Sequence, residues 1–344
     1  MNFEQLGRFP GKRVLTWHDD VLYASEGYKI LKYQQGHIEN EEWSKVAEFR
    51  PDWIRRIEVS NKYSSRLMRN GFHVLKIMES GRLVGVIDGK VVLAESQDME
   101  FRTVFDIPRG TRPLTMTVGE NDTLYWGEYF SNKDREEIHI YGSDDFGEHW
   151  DVCYTFPQGS TKHIHSVTWD PFQNCFWVLK GDKDSESAVI RIDSDWVNSE
   201  SIVFGNQQAR AATCIPHEEG LYFATDTPLA LNFVYMLDRA GNVEKLHSLR
   251  GSSLQSCQVN DRIFFSTAVE PSTINNSMIC SLVGTDDRIN WIELVKWRKD
   301  WLPMQLFQFG NILLPTGNNN SNIIAATGVA VKNEDMVTHI WRVE

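Results

Sequence analysis

Four acidic residues follow apolar segments at regular intervals along the chain. They are Glu128, Asp182, Asp226 and Glu270, and each comes just after a segment rich in Leu, Tyr, Phe or Trp. If these segments are the same strand of successive structural repeats, the four carboxylates meet at one rim. Crowded carboxylates raise each other's pKa, which suits one of them to donate a proton while another accepts one. The spacing therefore predicts acid–base chemistry at that rim, although a single carboxylate after a strand often only caps a turn.

Basic side chains recur at a second position, the start of the preceding strand in each repeat. His163 and His165 stand two residues apart, so in a strand they point to the same face. Such a pair can bind a metal ion, but no third ligand is obvious, so we predict no metal and no cofactor. We expect one histidine to act as an acid–base group or substrate donor while the other satisfies backbone groups, with a purely structural pair as the alternative. Arg210 has the same position in the next repeat, where it would clamp a substrate carboxylate or pair with a neighbouring acid.

These positions divide into two sets of predicted site residues. The predicted catalytic residues are Glu128, His163, His165, Asp182 and Glu270. The predicted substrate-binding residues are Arg69, Arg112, Tyr129, Arg210, Asp226 and Asn232.

The apolar segments recur seven times and predict the fold. They occupy residues 20–25, 81–86, 122–128, 174–180, 219–225, 261–267 and 311–316. Seven copies in 344 residues give about 49 residues each, which is typical of propeller blades with four strands apiece. We therefore predict an all-β, seven-bladed β-propeller as a single domain over residues 1–344, with six blades as the alternative. The predicted blades are 12–50, 51–108, 109–158, 159–206, 207–250, 251–300 and 301–344.

A second signal supports the propeller and carries a family resemblance. Residues 143–150, Ser-Asp-Asp-Phe-Gly-Glu-His-Trp, fit the Asp-box pattern S-x-D-x-G-x-x-W, and residues 285–291 look like a degenerate copy. An Asp box is a tight hairpin, so we expect a structural role for it. The chain thus resembles the sialidase-like, or BNR-repeat, propeller superfamily. Further segments resemble a branch associated with polysaccharide gene clusters; they include residues 109–114, 127–130, 163–165, 181–186, 208–211, 225–228 and 266–270. The resemblance implies a glycan-related function, but no arginine triad of the sialidase kind can be assigned from the sequence.

Composition limits the class of protein and of partner. The formal net charge is −12, which argues against a broad nucleic-acid-binding surface because phosphates need a basic patch. No segment reaches the ~20 apolar residues of a membrane helix, and the first residues do not resemble a secretory signal. We therefore predict a cytoplasmic protein with no membrane span, unless an export signal precedes this sequence. The sequence leaves the oligomeric state open.

Three functions remain open at this point, all with an acidic oligosaccharide or polysaccharide as partner. A carboxylate pair favours a glycoside hydrolase acting on a glycan that contains uronic or nonulosonic acid. A histidine or tyrosine base with an arginine that neutralises a carboxylate favours a lyase. A propeller that only binds glycans is the third, because one fold hosts many functions. The number of acids makes hydrolysis the favoured prediction.

Overall fold

The structure is a computed structural model that describes residues 1–33, 43–53, 55 and 62–344. Its strands form seven antiparallel sheets of four strands each, so the protein is an all-β, seven-bladed propeller and the six-blade alternative is wrong. Each sheet buries both faces, which a single sheet cannot do and a closed ring of sheets can.

The strands follow one another in chain order. At the N-terminus lies β1 (Phe3–Pro10). Blade 1 contains β2 (Arg13–His18), β3 (Val21–Glu26), β4 (Lys29–Tyr33) and β5 (Trp43–Glu48). Blade 2 contains β6 (Phe72–Ile77), β7 (Leu83–Ile87), β8 (Lys90–Ala94) and β9 (Arg102–Asp106). Blade 3 contains β10 (Thr117–Val118), β11 (Leu124–Gly127), β12 (Ile138–Ser143) and β13 (Asp151–Phe156). Blade 4 contains β14 (Ile164–Asp170), β15 (Cys175–Lys180), β16 (Ala188–Asp193) and β17 (Ser199–Phe204).

The remaining three sheets complete the ring. Blade 5 contains β18 (Ala211–His217), β19 (Gly220–Thr225), β20 (Asn232–Asp238) and β21 (Val243–Leu249). Blade 6 contains β22 (Ser253–Val259), β23 (Arg262–Thr267), β24 (Ile279–Thr285) and β25 (Ile292–Arg298). Blade 7 contains β26 (Asn311–Leu313), β27 (Ile323–Val329), β28 (Val337–Val343) and β1. The helices whose bounds the structure describes are α1 (Lys62–Met68) and α2 (Met304–Phe307), with a short 3-10 helix at Glu120–Asp122.

Both ends of the chain build blade 7. Strand β1 pairs antiparallel with β28, from Phe3 opposite Val343 to Pro10 opposite Val337. Residues 1–11 lie outside the blades predicted from the sequence, because β1 is an outer strand whose side chains are mostly half-buried or exposed and carry no repeat pattern. Its pairing closes the ring and leaves no gap between the first and last blades.

The core lies between the sheets. Among the described residues, seven clusters of buried apolar side chains are found, and each combines residues of two neighbouring blades. The first strands of neighbouring blades are also joined by polar contacts close to the axis. Thr213 Oγ1 lies 2.6 Å from Ser256 Oγ, and Thr16 and Thr316 form a parallel bridge. These contacts put the first strand of each blade on the inside.

The predicted hairpin at 143–150 joins β12 to β13. Ser143 Oγ donates to Asp145 Oδ1 and accepts from the Gly147 N–H, both at 2.9 Å. Gly147 has φ +87°, and a Cβ there would lie 2.8 Å from Val84 of blade 2. The Trp150 side chain is buried in the cluster between blades 2 and 3. The hairpin therefore has the structural geometry expected from the sequence.

The segment that connects β5 of blade 1 to β6 of blade 2 also contacts blade 7. Helix α1 lies in this connection, and its Arg66 is almost completely buried. The Arg66 guanidinium donates to Asp300 Oδ2 at 2.6 Å and to Asp335 Oδ2 at 3.0 Å, and it also contacts the Phe307 carbonyl oxygen. Within the described ranges no helix has the length and apolar character that crossing a bilayer requires.

Candidate active site

Antiparallel strands decide which residues share a face of the propeller. The loops that precede a first strand and the loops that join a second strand to a third lie at the same edge of each blade. We call this edge of the ring the site face. His163 and Arg210 directly precede β14 and β18, while Asp182 and Asp226 follow β15 and β19. Glu270 follows β23 on the same face, and the hairpin at 143–150 lies on the opposite one.

Two histidines and an aspartate make the tightest group on the site face. His163 Nε2 lies 2.9 Å from His165 Nε2 and 3.2 Å from Asp182 Oδ1. His165 Nε2 lies 3.4 Å from the same Asp182 oxygen. Both histidine side chains are buried, and burial lowers the pKa of His163 despite the neighbouring Asp182 carboxylate. Neutral imidazoles next to a carboxylate are suited to holding a cation or moving a proton.

Arg210 connects this group to two further acids. Its Nη2 lies 3.5 Å from Asp182 Oδ1 and 4.0 Å from Asp226 Oδ2. Asp226 Oδ1 and Arg210 Nε are buried atoms without a hydrogen-bond partner in the described structure. Burial and the charge of Asp226 raise the pKa of Glu270 to about 7, against a hydrogen bond with Ser252 and the charge of Arg210. Asp182, Asp226 and Glu270, the acid group, thus come together as the spacing predicted.

Tyr129 packs beside this group. Its ring centroid lies 4.3 Å from that of His163. Burial, followed by the charges of Asp226, Asp182 and Glu270, raises the pKa of Tyr129 to about 12, so its hydroxyl is a hydrogen-bond donor at neutral pH. The charge of Arg112 acts in the opposite direction. Tyr129 is therefore close both to the acid group and to Arg112, which belongs to a set of cations.

Those cations are three arginines, Arg13, Arg69 and Arg112, which we call the arginine cluster. Burial and the charge of Arg112 lower the pKa of Arg13 to about 9, while burial and the charge of Arg69 lower that of Arg112 to about 10. Over the described ranges none of the three forms a salt bridge with a carboxylate, and Arg13 Nε is buried without a partner. Like charges that find no carboxylate among the described residues have the chemistry to bind an anion.

Two neutral or weakly basic groups complete the axial lining. His73 Nε2 lies 2.8 Å from the Arg69 carbonyl oxygen, and its Nδ1 contacts an Nη1 of Arg112, so His73 holds both arginines in place. Burial, then the charges of Arg112 and Arg13, keep the pKa of His73 well below its ordinary value. Lys76 donates to Thr316 Oγ1 at 2.9 Å, and burial lowers its pKa to about 8.

Two predicted site residues have other roles in the structure. Glu128 is fully buried, and its carboxylate is occupied by Arg109 and by the His139 N–H, so it has no oxygen free for a substrate. Asn232 is also fully buried; its side chain accepts from the Thr227 N–H and donates to the Thr227 carbonyl, both at 2.9 Å. The predicted catalytic role of Glu128 and the predicted binding role of Asn232 therefore need revision: both side chains hold loops.

Sequence reasoning missed Arg13, Lys76 and Lys162. Arg13 begins β2, at the position where His163 and Arg210 precede the first strands of their own blades. That shared position was the available signal for Arg13. Lys162 donates to Asp182 Oδ2 at 2.7 Å, and nothing in the spacing indicated this contact.

Comparisons with known proteins agree on the fold. No protein-family model and no curated protein sequence matches the chain. Among solved structures, a chain of the mitotic checkpoint complex matches with TM-score 0.58 and 12% identity, over 99% of this chain and 92% of that one. An oligogalacturonate lyase in complex with manganese matches with TM-score 0.56 and 10% identity, over 98% and 90%. A GH74 enzyme of Niastella koreensis matches with TM-score 0.54 and 12% identity, over 85% and 47%. These identities establish the propeller fold alone, and the resemblance to sialidase-like repeats stays a prediction.

Proposed function

We propose that this chain is a glycoside hydrolase that acts on an acidic glycan at the site face. The observation that carries the proposal is the placement of the acid group beside an arginine cluster for which the described residues supply no carboxylate partner. A carboxylate of a uronic or nonulosonic acid residue would supply the missing counter-ion to Arg13, Arg69 and Arg112. The neighbouring acids would then lie beside the glycosidic bond of the bound sugar.

In this proposal Glu270 is the general acid and Asp226 is the general base. Glu270, half-buried next to Asp226, donates its proton to the glycosidic oxygen as that bond breaks. Asp226, whose Oδ1 has no partner, accepts a proton from the attacking water. The positive charge of Arg210 reduces the electrostatic repulsion between Asp226 and Asp182. The Tyr129 hydroxyl donates a hydrogen bond to the sugar. Asp226, predicted from the sequence as a binding residue, thus takes a catalytic role.

The structural comparisons are in keeping with a carbohydrate-related function. Two of the proteins with a similar fold are a GH74 enzyme and an oligogalacturonate lyase. Their low identity with this chain means that they support the class of substrate in general terms and no particular sugar.

Elimination is the second candidate, because Tyr129 lies between the arginine cluster and the histidines. An arginine-bound uronate has an acidic α proton, and a base on the site face would remove it while the bond to the leaving sugar breaks. The raised pKa of Tyr129 makes its hydroxyl a poor base at neutral pH, which favours hydrolysis over elimination.

The test uses matched pairs of acidic and neutral oligosaccharides. New reducing ends and the ultraviolet absorbance of a conjugated double bond are measured together. We expect reducing ends without that absorbance, a loss of about 10²- to 10⁴-fold in kcat for Glu270→Gln, and a raised KM for acidic substrates in Arg112→Gln. Arg191→Gln, which changes an exposed arginine of β16 paired with Glu200, is the control and keeps wild-type kinetics.

Each other outcome has a defined meaning. Absorbance that appears with the product supports elimination in place of hydrolysis. Saturable binding of an acidic glycan without any product supports a glycan-binding propeller. If the wild-type protein neither binds nor cleaves any acidic member of the panel, or if Arg112→Gln changes nothing, the proposal is overturned.

A further inference from the structure

The hydrogen bonds of the two buried histidines determine which ring nitrogens carry protons. His165 Nδ1 lies 2.9 Å from the Ala211 carbonyl oxygen, and His163 Nδ1 lies 3.3 Å from that of Phe130. A carbonyl oxygen only accepts, so both Nδ1 atoms carry the hydrogen. In the neutral rings both Nε2 atoms therefore present lone pairs. These lone pairs are directed toward one another across 2.9 Å, which is unfavourable unless a cation lies near them.

A third lone pair converges on the same place. Asp182 Oδ1 lies 3.2 Å and 3.4 Å from the two Nε2 atoms, so three donor atoms form a triangle with edges of 2.9 to 3.4 Å. An ion about 2.1 Å from each atom, the usual metal–nitrogen and metal–oxygen distance, would see them at angles of roughly 90° to 110°. Those angles lie between octahedral and tetrahedral geometry, so the three atoms fit three corners of one coordination sphere.

From this geometry we propose that His163, His165 and Asp182 bind one divalent transition-metal ion on the site face. The sequence analysis predicted no metal because the third ligand comes from the loop after β15, seventeen residues beyond His165. The inference does not depend on the proposed function, because it rests on the donor atoms alone. In the part of the chain that the structure describes, these are the only three possible metal-ligating side chains whose ligand atoms all lie within 4.8 Å of one another.

The surroundings resemble those of protein metal sites. Each histidine is oriented by a backbone carbonyl on its other ring nitrogen, which is how ligating histidines are commonly held. The second carboxylate oxygen of Asp182 accepts from Lys162 at 2.7 Å, while Oδ1 faces the two histidines and has a longer ion pair with Arg210 Nη2 at 3.5 Å. Three protein ligands leave coordination positions for water or a substrate oxygen.

The ligand types select the class of ion. Two imidazole nitrogens and one carboxylate oxygen suit zinc, cobalt, nickel or iron, whereas magnesium and calcium prefer oxygen ligands alone. The nearby Arg210 and Lys162 carry positive charge, and they moderate the affinity by electrostatic repulsion. We therefore expect saturable binding of Zn²⁺ and Co²⁺, and no comparable binding of Mg²⁺ or Ca²⁺.

The experiment measures binding on full-length protein freed of metal with a chelator. Zn²⁺ is titrated by calorimetry, and Co²⁺ is titrated while its visible absorption is recorded, since that spectrum reports nitrogen ligation directly. We expect one ion per chain and a rise in the thermal midpoint on binding. His163→Gln, His165→Gln and Asp182→Asn should each weaken the affinity at least about tenfold, because each removes a ligand.

His149→Gln is the matched control. His149 is an exposed histidine in the hairpin on the opposite face, so this variant should bind metal as the wild type does. Circular dichroism of each variant confirms that it is folded before its affinity is compared. The proposal fails if wild type binds neither Zn²⁺ nor Co²⁺ at one ion per chain, or if the two His→Gln ligand variants bind with wild-type affinity. It also fails if Mg²⁺ or Ca²⁺ competes on equal terms.

Discussion

At the scale of single residues, environment separates the acids of the site face into different roles. Asp182 pairs with Lys162 and lies near Arg210, and both cations favour its charged form. Burial and the charges of Asp226 and Asp182 disfavour the ionised form of Glu270, whereas a hydrogen bond with Ser252 and the charge of Arg210 favour it. Asp182 therefore keeps its charge, which suits a ligand of a cation, whereas Glu270 is able to hold the proton that a general acid donates.

This asymmetry predicts how stability depends on pH. Glu270 has a pKa of about 7 in the folded protein, whereas its ordinary value is 4.5. The folded state therefore holds the proton more tightly than the unfolded state, and the protein loses stability as the pH rises from about 4.5 to about 7. Glu270→Gln removes this loss, so the variant should be more stable than wild type at pH 8 and equally stable near pH 4.

Urea unfolding at the two pH values measures this difference. Glu120→Gln, which changes an exposed glutamate, is the control and should shift stability equally little at both. A Glu270→Gln variant whose advantage over wild type is the same at pH 4 and pH 8 would show that Glu270 is not protonated by its surroundings.

The same scale shows what sequence spacing can and cannot predict about a site. The recurring positions predicted four carboxylates at one rim, and three of them, Asp182, Asp226 and Glu270, come together because a repeat places equivalent residues on one face. Spacing could not indicate that Arg109 forms an ion pair with the Glu128 carboxylate, since Arg109 comes from a loop outside the repeated pattern. The partner of a side chain depends on packing between loops, which leaves no period in the sequence.

At the scale of elements, the hairpin at 143–150 shows why a short segment of sequence can predict both a turn and the packing of a buried tryptophan. Its side chains bond within the turn, so its geometry is encoded locally and is legible in the sequence. Trp150 then extends this local structure to the core: its indole N–H donates to the Gly147 carbonyl at 3.1 Å while the ring packs between blades 2 and 3. Strand β1 lacks any such local signal and was missed.

Trp150 provides a prediction about stability alone. Trp150→Ala should destabilise the protein by about 3 to 5 kcal/mol, because a large buried aromatic side chain is lost and leaves a cavity between two sheets. Trp301→Ala is the control, since that side chain is 87% exposed and its loss should change little. Chemical unfolding of both variants measures the effect. Equal and small effects of the two would mean that Trp150 does not join the blades.

At the scale of the whole molecule, the ring distributes its stability over seven similar interfaces, and the site face depends on all of them. The residues of the site come from several blades: Arg13 from blade 1, Arg112 from blade 3, His163 from blade 4 and Glu270 from blade 6. Repeat length and number could be predicted from the sequence because each blade repeats one pattern. The way the ring closes could not, because closure joins the two ends of the chain and occurs once.

Closure predicts what happens when β1 is removed. Deletion of residues 1–10 takes away the outer strand of blade 7, exposes the edge of β28 and uncovers Trp341, against which Phe3 packs with ring centroids 5.6 Å apart. An unpaired edge of this kind pairs with other chains. The truncated protein should therefore unfold at a lower temperature and associate as its concentration rises. Glu4→Gln is the control: it removes the exposed pair of Glu4 with Arg342 and keeps the strand, so it should remain near wild type. Thermal unfolding and light scattering decide the matter, and a truncated protein as stable and as dispersed as wild type would mean that the ring does not need its N-terminal strand to close.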